Sequence, residues 1–241
     1  VDYHRLCRHP VGDSSTHRSP MPRSARLVFS LVALFALSEA PLSAAAPLSY
    51  QADVARSRLF VMVYKDPEAL GAKLGHDHVV RARDFTGEIL WDPAAPERCE
   101  VSFTVPVASL DPDPPELRKR VGLKRMLTKG DRAKVKENLL NQDQLWGDKY
   151  PTITFTASGC TPRGESLDVT GAFTLRGRTR TVKATMKLGI DAATGKLTAS
   201  GSIPLRHTWF GFKPYAALGG ALRNLDEMRL VIVLRASPAT P

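Results

Sequence analysis

The stretch TITFTASGCTPRGESLDVTGAFTLRGRTRTVKATMKL, residues 152–188, alternates apolar and polar residues through three consecutive runs. Ile153, Phe155 and Ala157 alternate with Thr152, Thr154 and Thr156. Leu167, Val169, Gly171 and Phe173 form the inward set of the second run, and Val182, Ala184, Met186 and Leu188 that of the third. A period of two places each set on one face of a β-strand. Between the runs stand Thr161-Pro162-Arg163-Gly164 and Leu175-Arg176-Gly177-Arg178, short turns that join neighbours antiparallel. Working outward, the same period recurs in Cys99–Val105, Leu197–Ile203 and Met228–Leu234. Phe85–Trp91 and Leu59–Tyr64 bring the count to eight strands, with Val79–Arg83 as a short extra. Leu59–Tyr64 is apolar on both faces and must be covered on both.

One insertion breaks the meander, from Asp111-Pro112-Asp113-Pro114-Pro115 to Tyr150-Pro151. It is basic at first and then helical, with Asp131 expected as the cap and Val135, Leu139 and Trp146 near one face. Eight antiparallel strands and one helix cannot bury a continuous apolar face unless the sheet packs on another or closes on itself, and closure also removes exposed edges. The expected fold is all-β, an eight-stranded antiparallel barrel with one helix-containing insertion. Its presumed inward set is rich in small residues (Ala157, Gly171, Ala184, Ala199, Gly201), which thins the packing and leaves room for a ligand.

The 241 residues, 43% of them hydrophobic, suit one domain plus processed ends. Met21–Arg26 is a basic start, Leu27–Leu37 an apolar run too short to span a bilayer, and Ser43–Ala46 a small-residue cleavage region: the three parts of a secretory signal. The expected organisation is a disordered upstream extension at 1–20, a signal at 21–46, a barrel domain at 47–237 and a tail at 238–241, in a periplasmic or secreted protein. Cys99 opens one expected strand and Cys160 ends the next, so a disulfide between them stands beside the alternative of two separate thiols.

From residue 47 onward the chain holds 29 Lys and Arg against 21 Asp and Glu, a net charge of +8. Residues 118–136 alone hold nine Lys and Arg and one acid, Asp131, also +8. That localisation points to a basic patch facing an anionic membrane surface or a phosphate-bearing ligand, or to a solvated helix face. No nucleic-acid motif appears, and nucleic acid is not expected as a partner.

Several fragments, in order, resemble the YceI-like family of exported, lipocalin-like proteins. They are Phe60–Tyr64, Gly75-His76-Asp77-His78, Phe85-Thr86-Gly87-Glu88-Ile89, Leu145-Trp146, Tyr150-Pro151-Thr152-Ile153-Thr154-Phe155, Val169-Thr170-Gly171, Leu175–Arg180 and Arg206–Gly211. The resemblance runs from about Leu48 to Arg235. It implies an antiparallel barrel around a long apolar tunnel that takes up a polyisoprenoid or similar chain-like amphiphile, without enzymatic activity; beside it, the expectation is a monomer or homodimer with no cofactor. The doubled histidine and the dense basic segment depart from the family pattern.

On this reading the tail lies against Phe60, Met62, Phe103, Phe155, Phe173 and Met186, and the mouth residues are His76, His78, His207 and Trp209. His76 and His78 would share a strand face with Asp77 opposite. The competing chemistry is zinc on His76, His78 and His207, the histidines that follow the signal. No HExxH helix, Cys cluster, GxSxG elbow or phosphate loop supports metal or hydrolytic catalysis.

Overall fold

The computed structural model describes residues 47–239; the expected extension at 1–20 and signal at 21–46 lie outside them. Twelve strands form one sheet system: β1 (Leu48–Ala52), β2 (Arg58–Lys65), β3 (His78–Ala82), β4 (Thr86–Trp91), β5 (Glu100–Pro106), β6 (Leu110–Pro112), β7 (Thr152–Arg163), β8 (Ser166–Leu175), β9 (Arg178–Ile190), β10 (Leu197–Arg206), β11 (Ala216–Ala217) and β12 (Leu222–Pro238). Two helices, α1 (Pro115–Arg120) and α2 (Lys129–Leu140), occupy the insertion.

The pairings reduce these strands to eight passes of chain. β1 and β2 lie end to end on one edge of β12, Tyr50–Ala52 against Ala236–Pro238 and Arg58–Val63 against Met228–Val233. β4 and β3 continue the arrangement by pairing β1 and β2, and β5 and β6 pair β4 and β3. Each of these three passes is thus one strand with a break. The first break is a turn in which Asp53 accepts the Arg56 N–H, and the third is a 3-10 turn at Val107–Ser109. From β5 the sheet runs through β7, β8, β9 and β10 to β12, and the β12–β1 pairing closes it. The result is a closed eight-strand antiparallel barrel.

The short extra strand at Val79–Arg83 appears as β3, the upper half of a broken pass. β1 and β6 were not expected. Pairing also persists past the expected domain end, since Pro238 is opposite Tyr50 and the Ala239 N–H donates to the Ser49 carbonyl at 2.8 Å. The helix cap differs too. Thr128 is the N-cap of α2, and Asp131 is the third helical residue of a reciprocal capping box: each receives a hydrogen bond from the other. Trp146 lies beyond the helix, after a turn, at φ 51°.

β2 is covered on both faces, as its composition requires. Leu59, Val61 and Val63 face the barrel interior. Phe60 and Met62 point outward into a separate cluster with Val79, Val231 and Leu117 of α1. α1 is short, and what holds it is this outer patch: Leu117 is 3% exposed.

Cys99, just before β5, and Cys160, in β7, are joined as a disulfide with their Cα atoms 5.7 Å apart. Both sulfurs belong to the wall of the barrel interior.

Three glycines shape that interior. The Phe103 ring lies over Gly87, its partner across β4–β5; the Phe155 ring lies over Gly171; and the Met186 sulfur lies over Gly201, its partner across β9–β10. A Cβ built at Gly87, Gly171 or Gly201 would meet those side chains at 2.2, 2.7 and 2.5 Å. The small inward residues therefore leave room in an indirect way. At these glycines the space is taken by a large neighbour folded back against the wall, and the axis stays open.

Candidate functional site

Alternation on β4, β5, β7–β10 and β12 delivers one apolar side chain in two to the barrel axis. The resulting inner chamber, about 110 Å³, has a wall without a charged side chain. Phe103, Phe155, Phe173 and Met186 stand in it, with Leu59, Ile203, Leu230 and Ile232 among those closing it. A void of this size lined by apolar groups stays dry and accepts an apolar guest. Next to it is an outer chamber of about 160 Å³. Ile153 and Phe173 belong to both walls, so the two chambers adjoin.

The outer chamber is roofed by Val135, Asn138 and Leu139 of α2 and by Tyr215, and its floor includes Val61, Val63 and Met228. It adds polar groups that the inner chamber lacks: His78, His207, Asn138, Gln144, Tyr215 and Asn224. Asn138 donates to the Tyr215 hydroxyl at 3.3 Å, tying the helix to the segment before β11.

Both chamber histidines have one ring nitrogen fixed. His207 Nδ1 lies 2.8 Å from the Asp226 carbonyl oxygen. A carbonyl can only accept, so Nδ1 carries the proton, and in the neutral ring Nε2 is an acceptor. Burial pushes the His207 pKa below its ordinary value, only partly offset by Asp226, which favours that neutral ring. His78 Nδ1 lies 2.6 Å from Asp113 Oδ2.

Asp113 is the hub of the wall behind the mouth. It is fully buried, sits at φ 52°, and accepts from His78, from the Val79 N–H at 3.1 Å and from Arg118 Nη1 at 2.5 Å. Burial alone would raise its pKa. The His78 hydrogen bond and charge, the Val79 N–H and Arg118 outweigh burial and hold the carboxyl below its ordinary value. Arg118, 1% exposed, also donates to the carbonyls of Asp77 and Arg125. This network was not visible in the sequence, where Asp113 is one of three acids in a Pro-rich segment before Arg118 and nothing sets it apart from Asp111 or Glu116.

The structure divides the expected site residues. Phe103, Phe155, Phe173 and Met186 line the inner chamber, and His78 and His207 the outer one. Phe60 and Met62 do not face either: an all-apolar strand gives no sign of which face looks inward, and α1 covers the one they occupy. His76 precedes β3, and its ring packs on His78 with centroids 4.5 Å apart outside the chamber wall. Trp209 is 37% exposed in a 3-10 turn whose buried anchors are His207 and Phe210. Among the described residues, no three His, Cys, Asp or Glu side chains are grouped to hold a metal ion.

His76 has both ring nitrogens buried without a hydrogen-bond partner. Burial first, then the charges of His78, Arg125 and Arg118, push its pKa down to about 4. The unfolded ring titrates near 6.5, so between those values the unfolded chain binds the extra proton and acidification destabilises the fold. Thermal melts are expected to fall as pH drops from about 6.5 to about 4. In His76→Leu that slope becomes shallower, with the remaining dependence carried by His207.

Residues 50–236 match the YceI-like domain. Protein YceI of Shigella flexneri is 30% identical over 150 residues, 60% of this chain and 67% of that protein. A UPF0312 protein of Photorhabdus laumondii is 31% identical over the same shares. Burkholderia cenocepacia BcnA superposes with a TM-score of 0.58 at 20% identity, over 77% of this chain and 99% of BcnA, a likeness of fold alone. The matched domain spans all eight passes and both chambers between Tyr50 and Ala236: the chain belongs to the YceI-like family.

Proposed function

We propose that this protein is an exported binding protein that holds a chain-like amphiphile, a polyisoprenoid or fatty-acid-like lipid, in its two-chamber tunnel for transport or storage. The observation that carries this reading is the uncharged, apolar inner chamber adjoining a wider one whose polar groups are confined to it. Burying a hydrocarbon chain gains about 0.8 kcal/mol per CH₂, so the inner chamber supplies affinity and the polar groups supply direction. The head group this mouth favours is one that donates a hydrogen bond to His207 Nε2; neither wall contains a Lys or Arg to neutralise a buried anion. The Met21–Ala46 pattern and the Cys99–Cys160 bridge both support action outside the cytosol. The fit is to binding, not catalysis, and a zinc centre finds no support where His76 faces away from the chamber that holds His207.

Native mass spectrometry of the exported chain, followed by solvent extraction, tests the reading. A single copurifying lipid is expected, lost when Met186→Glu places a charge in the inner chamber while the circular dichroism spectrum stays that of the barrel. A folded wild-type chain that carries no lipid and takes up none from added polyprenol or fatty acid would overturn it.

A further inference from the structure

Four large apolar side chains stand in water at the end of the barrel where the outer chamber lies. Leu70 is 98% exposed, Leu218 73%, Leu74 67% and Met126 42%. Single exposed leucines need no explanation, but a cluster does. Hydrogen bonds join the segments that carry these side chains. Leu70 and Leu74 lie in the loop between β2 and β3, and Leu218 tips the hairpin between β11 and β12. The Gly71 N–H donates to the Ala221 carbonyl at 2.8 Å, fastening loop to hairpin, and Arg223 Nε on that hairpin reaches Asp66 at 2.6 Å. Arg125 Nη1 donates to the Leu74 carbonyl at 3.1 Å, which brings the neighbouring Met126 segment to the same rim. Lys65 and Asn224, at the root of loop and hairpin, are paired, and Asn224 is a wall residue of the outer chamber.

Leu218 is unusual in a second way. Its φ is 52°, a conformation that costs a side-chain-bearing residue and is normally left to glycine or asparagine. Gly219 and Gly220 follow it, also at positive φ. The hairpin thus holds a leucine outward at its tip with no packing in return.

The charge around the rim is positive. Lys73, Lys124 and Arg125 are exposed beside these tips, and residues 118–129 contain no acid. Of the nearby acids, Asp66 is taken by Arg223, and Asp131 is held by Thr128 and lies near enough to Arg125 to feel its charge; Glu68 is exposed. Elsewhere in the basic segment four charges have partners: Arg118 on Asp113, Arg132 on Asp111, Lys134 on Glu137 at the surface, and Lys136 on the Ala108 and Leu110 carbonyls; Lys119, Arg120 and Lys129 are exposed. Of the basic patch expected over 118–136, Lys124 and Arg125 are the members beside Met126 and the Leu74 carbonyl.

We infer that this rim docks on an anionic lipid membrane, with Leu70, Leu74 and Leu218 entering the acyl boundary and Lys73, Lys124 and Arg125 lying among the head groups. Protruding apolar tips without a groove between packed elements suit a fluid lipid layer, which envelops them, better than a rigid protein face. Docking here sets the outer chamber against the membrane, so that a lipid tail enters without crossing water.

Flotation of the mature chain with phosphatidylcholine vesicles, with and without phosphatidylglycerol, tests it. Binding is expected only with the anionic lipid, falling as salt rises. Lys124→Gln should weaken it about fivefold, and Leu70→Ser with Leu218→Ser about tenfold or more, each at unchanged thermal stability because the tips bury nothing. Attachment is read independently of cargo, so an empty tunnel does not mimic a failed rim. A wild-type chain that ignores anionic vesicles, or rim variants that bind as well as wild type, would overturn the inference.

Discussion

Replacing Arg118 by alanine is expected to destabilise the barrel by about 3–5 kcal/mol, because it leaves the fully buried Asp113 carboxylate short of its cation. The loss is not of one contact. Arg118 also holds the Asp77 and Arg125 carbonyls, so its removal frees the approach to β3 and the link between α1 and α2. Chemical denaturation at neutral pH measures the loss. Acidification checks its cause: a carboxyl held below its ordinary value contributes stability that is fully present above the unfolded pKa, near 3.9, and is lost as pH falls through the lower folded one. Without Arg118 that folded value rises, so the variant loses less on acidification than the wild type. Exchanging both partners, Asp113→Asn with Arg118→Met, should recover part of the stability, since asparagine tolerates the positive φ, still accepts from the Val79 N–H and leaves no buried carboxylate behind. An Arg118→Ala chain as stable as wild type would show that water reaches Asp113.

The second large effect is expected from Cys99→Ala with Cys160→Ala. The bridge spans 61 residues, and the chain-entropy account assigns closure of such a loop about 4 kcal/mol. For a domain of this size that corresponds to a fall in midpoint of roughly 10 °C by calorimetry. The bridge ties the beginning of β5 to β7 across the whole insertion that carries α1 and α2. Reductant should therefore lower the wild-type midpoint by a like amount and leave the double variant unmoved; a midpoint insensitive to both would assign the two cysteines to packing alone.

What the sequence made legible was whatever repeats with period two. β7, β8, β9 and β10 could be read because each sends one set of apolar side chains to the axis and the other to water. β1 alternates too, Leu48, Tyr50 and Ala52 against Ser49 and Gln51, but its five residues are too short a run to stand out, and only Tyr50 of them is buried. β6 is three residues ending in a proline, and its place is set by pairing to β3, a non-local fact. Phe60 and Met62 went to the wrong side for the reason that made β2 conspicuous, since a strand apolar on both faces carries no label for inside. His76 failed for a related reason: the strand begins at His78, so a two-residue spacing did not mean a shared face. The Asp113–Arg118 hub has no periodicity at all. It arises where β6 gives way to α1, and only the fold brings His78 to it.

The side chains resting on Gly87, Gly171 and Gly201 bear on how the bore of such a barrel is graded. The bore is set less by the size of the residues that line it than by whether the wall behind them lets them lie back. A single methyl group added behind Phe103, Phe155 or Met186 would swing a whole side chain toward the axis. The glycines thus act as the stops of a caliper, so that residues lying behind the lining grade the length and girth of the space at the axis.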